Sequence, residues 1–281
     1  MAAALSILAI ATGAADDEAV IAVATDLARR RPGSLLVADV FIQPIVFAPP
    51  LAATAALPVL HSVADEVADA RGRVATMLHN HLGAVSARLG SSTVRLADSN
   101  DTAWEALMRE LPLADMVVLG QSHASSVGSW SGPLGESLMS AKAPVLVVRG
   151  SGPAAGRPAA VAWDGSLQAG RAVRAALPLL EEASEVLILQ HRQEIDTQPG
   201  SRADPARLST YLSAHGLPPG TVCEAPGRSV GQALLGAAQR AKAALLVAGA
   251  YGHSRLGEAL FGGATKAMLT AEEGPHLFIA H

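Results

Sequence analysis

One pattern is written twice along this chain. Residues 6–13 are an apolar run that ends in a small polar residue and a glycine, and residues 159–165 have the same shape. Runs of this length read as strands buried on both faces. Each run leads into a helical pattern. In the first half this spans residues 18–31, with Ala19, Ala22, Val23 and Leu27 on one face. In the second it spans residues 167–181, with Ala172, Val173, Ala176 and Leu180 on one face and Ser166 placed to cap the start. Second apolar runs follow at 35–40 and 186–189. Further on, helical stretches at 107–111 and 237–241 precede strands at 114–120 and 242–249, both of which end at a glycine before a polar loop. Each half closes on a helix and a proline-led strand, 144–148 and 275–279. A repeat of this kind decides the architecture before any single residue does. Strands alternating with helices predict right-handed crossovers and a parallel sheet with helices on both faces. The predicted fold is therefore α/β: two tandem, doubly wound, five-stranded parallel-sheet domains. They cover residues 1–150 and 155–281, with the Gly/Pro-rich stretch 150–158 as the link.

Composition narrows the functional classes. Half of the 281 residues are hydrophobic and only 16% are charged, so there is ample core-forming material. Aromatics are 3%, which leaves the core to Ala, Leu and Val, small enough for close helix–sheet packing. The net charge is −4 and the 21 basic residues are scattered, so no concentrated face exists for nucleic-acid phosphates. The one basic run, Arg29-Arg30-Arg31, reads as a solvated helix end. Cys223 stands alone, which excludes an intramolecular disulfide and a cysteine metal cluster; it reads as a buried small hydrophobe in a reducing cytoplasm. The apolar first fifteen residues carry no positive charge ahead of the run, so they are expected to be a buried first strand rather than a secretory leader. No run approaches the ~18 apolar residues of a membrane span. The expectation is a cytoplasmic protein with neither membrane nor nucleic acid as partner.

In parallel α/β sheets, ligands bind beyond the carboxyl ends of the strands, where the strand order reverses. In the second half, Asp164-Gly165-Ser166 leaves the first strand. Gly249-Ala250-Tyr251-Gly252-His253-Ser254-Arg255 leaves the fourth, and Gly262-Gly263-Ala264-Thr265 opens the next helix. Such a loop suits a phosphate. Glycines admit close backbone approach, successive N–H groups form an anion nest, and the helix start adds a positive dipole end. Thr265 can add a hydroxyl, and Arg255 or Lys266 a charge. Asp164 can accept from a ribose hydroxyl or a base amine.

The spacing Gly249-x-x-Gly252, nine residues, Gly262 resembles the nucleotide loop of the universal stress protein family. The segment Val161-Ala162-Trp163-Asp164-Gly165-Ser166 resembles that family's first strand with its adenine-side Asp. The likeness covers nearly the whole chain, through the order of elements and the final proline-led strand. It implies a Rossmann-type fold of the adenine nucleotide α-hydrolase-like kind and an adenine nucleotide, ATP, ADP or AMP, as cofactor. The implied site holds Asp164, Gly165, Ser166, His191, Gly249, Tyr251, Gly252, His253, Arg255, Gly262, Gly263 and Thr265. One departure stands out: the family's Ser/Thr position is Gly263, which lacks the hydroxyl, and this makes AMP a candidate beside ATP. By the same resemblance the last strands of the two halves pair within one chain as a pseudo-dimer, and a homodimer is a further candidate.

The first half departs further. Thr12 stands where Asp164 does, Gly120-Gln121-Ser122-His123 replaces Gly-x-x-Gly, and Pro133 falls where the later glycine belongs. This half reads as a degenerate copy. A longer helical region (60–89) and a Pro-rich apolar insertion (43–58) are its other peculiarities, the latter without an assigned role. His79 and His81 sit two apart in a helical pattern and do not face each other, so no metal site is expected there. There is no Gly-Lys-Ser/Thr phosphate lysine and no carboxylate pair for Mg²⁺, which fast NTP hydrolysis needs. The expected function is a stress-response sensor or adaptor that binds nucleotide in its second half, with at most slow hydrolysis. The competing readings are a nucleotide-free dimeric scaffold and an enzyme of another nucleotide-handling α/β class.

Overall fold

The four apolar runs of each half become strands, and a fifth, largely exposed strand joins each outer edge. The computed structural model describes residues 3–41, 57–86, 93–97, 102–125, 132–150, 152–192, 200–250 and 263–281. In the first half the strands are β1 (Ser6–Ala11), β2 (Leu35–Val40), β3 (Thr93–Leu96), β4 (Met116–Gly120) and β5 (Val145–Val148). The second half repeats them as β6 (Ala159–Ala162), β7 (Val186–Gln190), β8 (Thr221–Glu224), β9 (Leu245–Gly249) and β10 (His276–Ala280). The helices of the first half are α1 (Asp17–Arg30), α2 (Leu57–Ser86), α3 (Ala103–Glu110), the short α4 (Gln121–Ser125) and α5 (Pro133–Gly135), which continues as a π-helical turn over Glu136–Ser140. Those of the second are α6 (Leu167–Leu180), α7 (Pro205–Ala214), α8 (Val230–Arg240) and α9 (Gly263–Thr270). Of the insertion, residues 43–56 lie outside the described residues, and Leu57 and Pro58 open α2.

All ten strands form one sheet, in the order β3-β2-β1-β4-β5-β10-β9-β6-β7-β8. Each half is parallel throughout, and the halves join where β5 and β10 pair antiparallel, with Leu146 opposite Phe278. The two halves also share a register. Ile7 lies opposite Met116 on β4, and Ala159 lies opposite Leu245 on β9. Counting five residues on from Ile7 and from Ala159 puts Thr12 and Asp164 in equivalent places, with Ala11 and Trp163 just before them.

Side-chain alternation along the strands divides the interior into two layers. On β1, Ile7, Ala9 and Ala11 enter one core and Leu8 and Ile10 the other. The first core lies under α1, α6 and α7. The second lies under α3, α8 and α9. The buried stripe of α1 (Val20, Ile21, Ala24, Leu27) recurs on α6 as Ala172, Val173, Ala176 and Leu179. The helix starts are capped as their sequences demand. Ser166 accepts from the Ala169 N–H at 3.1 Å, Asp204 accepts from the Ala206 N–H at 2.9 Å ahead of Pro205, and Thr102 and Glu105 form a reciprocal capping box. Among the described residues no helix is long and apolar enough to cross a membrane.

Two arginines tie the halves together, and one corrects the sequence reading. The basic run at the end of α1 is not a solvated helix end throughout. Arg29 and Arg30 pair with Asp26, but Arg31 is 1% exposed. Its guanidinium donates to the Pro178 carbonyl at the end of α6 and to the Glu181 carboxylate at 3.1 Å. A run of like charges gives no sign of which member turns inward. Arg149, 5% exposed after β5, donates through Nε to Gln121 Oε1 (2.7 Å) and through its Nη atoms to the carbonyls of Pro275 and Met268. Burial pulls its pKa down to about 10. Gln121 in turn donates to the Leu269 carbonyl at 2.5 Å. Cys223 is half-buried on β8 rather than fully enclosed.

Candidate functional site

Strand order reverses between β6 and β9, and their carboxyl ends open a crevice there. A cavity of about 140 Å³ fills it. Of the residues predicted from sequence, Asp164, Ser166, His191, Gly249, Gly263 and Thr265 line it. Tyr251, Gly252, His253, Arg255 and Gly262 lie outside the described residues. Gly165 does not line the cavity. It has φ +75°, and a Cβ there would meet the Arg202 carbonyl oxygen at 2.2 Å, so this glycine serves a tight turn against residues 200–203.

Each lining residue is delivered by a local rule. Asp164 follows β6 directly and accepts the Ser166 N–H at 2.9 Å through Oδ1, which fixes the turn into α6. Its Oδ2 makes no hydrogen bond among the described residues and is available to a ligand. Ser166 caps α6, so the positive end of that helix abuts the cavity with Gln168 and Ala169 on its wall. α9 begins at Gly263, and Gly263, Ala264 and Thr265 bring a second helix start to the same space. Gly249 ends β9 where a Cβ would sit 2.5 Å from the Ala169 nitrogen, so only glycine lets the strand end meet the start of α6. His191, 6% exposed, is oriented by a 2.9 Å hydrogen bond between Nε2 and the Gly227 carbonyl. The remaining wall is apolar, with Leu189, Val230, Leu234 and Met268. Gln168 and these apolar residues of α8 and α9 were not singled out from sequence. Their spacing is that of ordinary core helices, and no motif distinguishes them.

The arrangement can hold a flat apolar group against Leu189, Leu234 and Met268 and hydrogen-bond its polar edge to Asp164. It can also place an anion at two helix starts. No arginine or lysine lines the cavity among the described residues. Nor, among these residues, does any group of three or more His, Cys, Asp or Glu side chains form a metal site.

In the first half the chain's own carboxylates take backbone donors at the equivalent corner. Asp16 lies against the end of β4, where a Cβ on Gly120 would meet its carboxylate at 2.3 Å. That carboxylate accepts from the Ser122 N–H (2.9 Å) and hydroxyl (2.6 Å). Asp17, 4% exposed, accepts from the N–H groups of Thr12 (2.9 Å) and Gly13 (2.8 Å). Burial raises the Asp17 pKa, and these two hydrogen bonds partly offset the effect. Thus the backbone donors after β1 and β4 are taken by the chain's own carboxylates.

Comparison with solved structures finds this sheet elsewhere. A universal stress protein from Archaeoglobus fulgidus DSM 4304 superposes with a TM-score of 0.71, covering 99% of this chain and 96% of that chain at 14% identity. A functionally unknown protein from Pseudomonas aeruginosa PAO1 gives a TM-score of 0.53, covering 99% and 92% at 16% identity. No protein-family model and no curated protein matches the chain. At these identities the likeness is one of fold: the chain has the mostly parallel α/β fold seen in universal stress proteins.

Proposed function

We propose that this chain is a regulatory protein of the universal stress protein kind that binds one adenine nucleotide in its second half. The observation that carries the reading is the difference between two equivalent corners of one sheet. At the first, Asp16 and Asp17 take backbone donors that follow β1 and β4, whereas the second lines a cavity with an uncommitted Asp164 oxygen and two helix starts. In this reading the adenine lies against Leu189 and Met268, with its amine or the ribose on Asp164 Oδ2. The phosphates leave toward the start of α9. The cavity of about 140 Å³ is below the ~300 Å³ at the lower end of small-molecule pockets, so the described walls hold the nucleoside end only. Fast hydrolysis is not expected, since the sequence offers no Gly-Lys-Ser/Thr phosphate lysine and no carboxylate pair for Mg²⁺.

The test is occupancy. Freshly purified protein is denatured and any released small molecule is identified by mass; ATP, ADP and AMP are then titrated back by calorimetry. One adenine nucleotide per chain, with affinity reduced at least about tenfold in Asp164→Ala, is the expected result. The same affinity in Asp164→Ala would move the site elsewhere. The second reading, a nucleotide-free scaffold, is favoured by one departure: Gly263 stands at the family's Ser/Thr position. It predicts no released nucleotide and no heat of binding.

A further inference from the structure

A second cavity lies on the opposite side of the β6 end. Alternation along β6 sends Ala160 and Ala162 to one core and Val161 and Trp163 to the other, so Asp164 and the Trp163 indole serve opposite faces of the sheet. The indole forms the floor of a space of about 250 Å³ between α6 and α7. α6 contributes Gly170, Val173 and Arg174, three and four residues apart and hence on one face. α7 answers with Arg207, Leu208 and Tyr211. The depth is apolar, since Val173 and Leu208 are each 2% exposed, and the two guanidinium groups stand at the exposed rim.

Three features mark this as more than a packing gap. First, the shared fold does not require it. The other half builds the same corner with a fully buried Ala11 in place of Trp163, and the matched helix stripes put Glu18 and Ala22 where Gly170 and Arg174 stand. Second, among the described residues neither arginine has an ion-pair partner and no carboxylate lines the cavity. Arg207 reaches only the Arg202 carbonyl, at 3.5 Å. Third, Gly170 sits inside α6, where glycine weakens a helix relative to alanine. An added Cβ there would meet only the Arg174 Nη1, at an ordinary 3.5 Å, so neither strain nor close packing calls for glycine. That contact also shows Arg174 folded back along the helix over Gly170 rather than extended into solvent.

We infer that this cavity binds a small aromatic carboxylate. An aromatic ring fits against the indole, the Tyr211 ring and Leu208, and the guanidinium forks match a carboxylate at the rim. A ring held below them also gains from cation–π attraction. The volume corresponds to roughly eight waters at ~30 Å³ each, enough for one ring with its carboxylate. Trp163 lines both this cavity and the nucleotide corner, and the two share no other described lining residue.

The experiment is calorimetric titration of the full chain with benzoate and with salicylate at neutral pH and low salt. Expected is saturable one-to-one binding with Kd at or below about 1 mM, weakened at least about tenfold in the Arg174→Gln, Arg207→Gln double variant. Gly170→Ala, which narrows the cavity, should also weaken binding while thermal stability holds or rises. Absence of saturable binding in the wild-type chain would sink the inference. So would equal affinity in the arginine variant with its fold verified by circular dichroism. Inorganic phosphate binding as tightly as benzoate would overturn the aromatic assignment.

Discussion

Asp39 is the residue most at odds with its surroundings. It lies on β2, 1% exposed, with Oδ2 unpartnered among the described residues, at the place where β7 has Leu189. Burial pushes its pKa up to about 6, from ~3.9 in an unfolded chain. Between those values the native state holds a proton that the unfolded state has lost. The stabilisation is present below about pH 4 and is lost as pH rises through about 6, on the order of 3 kcal/mol. Asp39→Asn should therefore raise the thermal midpoint at pH 7.5 and leave it nearly unchanged near pH 4, as read by calorimetry across that range. Gly249 is the other sensitive position. Its Cβ would meet the Ala169 nitrogen and Gln168, so Gly249→Ala should cost ~1–3 kcal/mol in denaturant unfolding, whether or not nucleotide binds. The importance of Gly249 was legible as part of a glycine spacing. Its reason, contact between a strand end and a helix start, was not, because the partner lies some eighty positions earlier in the sequence.

At the scale of elements, α9 connects the candidate site to the seam. Its first residues line the cavity, and its last carbonyls, Met268 and Leu269, are held by Arg149 and Gln121 of the other half. A helix gripped at its C-terminal end by a cation is stabilised through its dipole as well as through the hydrogen bonds. Replacing Arg149 by Met would leave Gln121 Oε1 and two buried carbonyls unpaired. Arg149→Met should cost ~3 kcal/mol in unfolding and also weaken nucleotide binding severalfold, because the start of α9 is no longer fixed. Equal nucleotide affinity in the folded variant would show that α9 does not transmit between the two places. For α6, Ser166→Ala removes the cap, and ~1 kcal/mol is the expected loss in denaturant unfolding.

The whole molecule depends on the antiparallel β5–β10 seam. His276 opens β10 with Nδ1 accepting from the Arg149 N–H (2.9 Å) and Nε2 donating to the Gly152 carbonyl (2.8 Å), which fixes the neutral ring. Burial is the main cause of its lowered pKa, and the nearby Arg149 and Arg157 charges act in the same direction. On acidification the unfolded state takes up this proton first, so the stability contributed by the neutral ring is lost as pH falls through about 6.5. Its sign is opposite to that of Asp39, and half-buried His123, whose pKa is also lowered, acts in the same direction as His276. His276→Gln should reduce the fall in thermal midpoint between about pH 7 and 5.5, while Asp39→Asn, which removes a stabilisation gained over the same interval, should steepen it. Identical pH slopes in wild type and His276→Gln would place the acid sensitivity away from the seam.

The sequence alone determined the strands, their parallel order and the caps, because these follow from local apolar runs, periodicity and short-range hydrogen bonds. Ser166 at the start of α6 and the apolar runs of β1 and β6 are cases in point. It also determined that Thr12 and Asp164 are equivalent, since a repeat carries its own alignment. The resemblance implied that the last strands of the two halves pair, and β5 and β10 do so with Leu146 opposite Phe278; only the tertiary structure decided that the pairing is antiparallel within one continuous sheet, that Arg31 and Arg149 turn inward, and that Asp16 and Asp17 take backbone donors of the first corner. Each of these depends on groups far apart in sequence meeting in space, where the cost of burying a charge is offset only by partners that neither neighbouring residues nor hydrophobic periodicity can reveal.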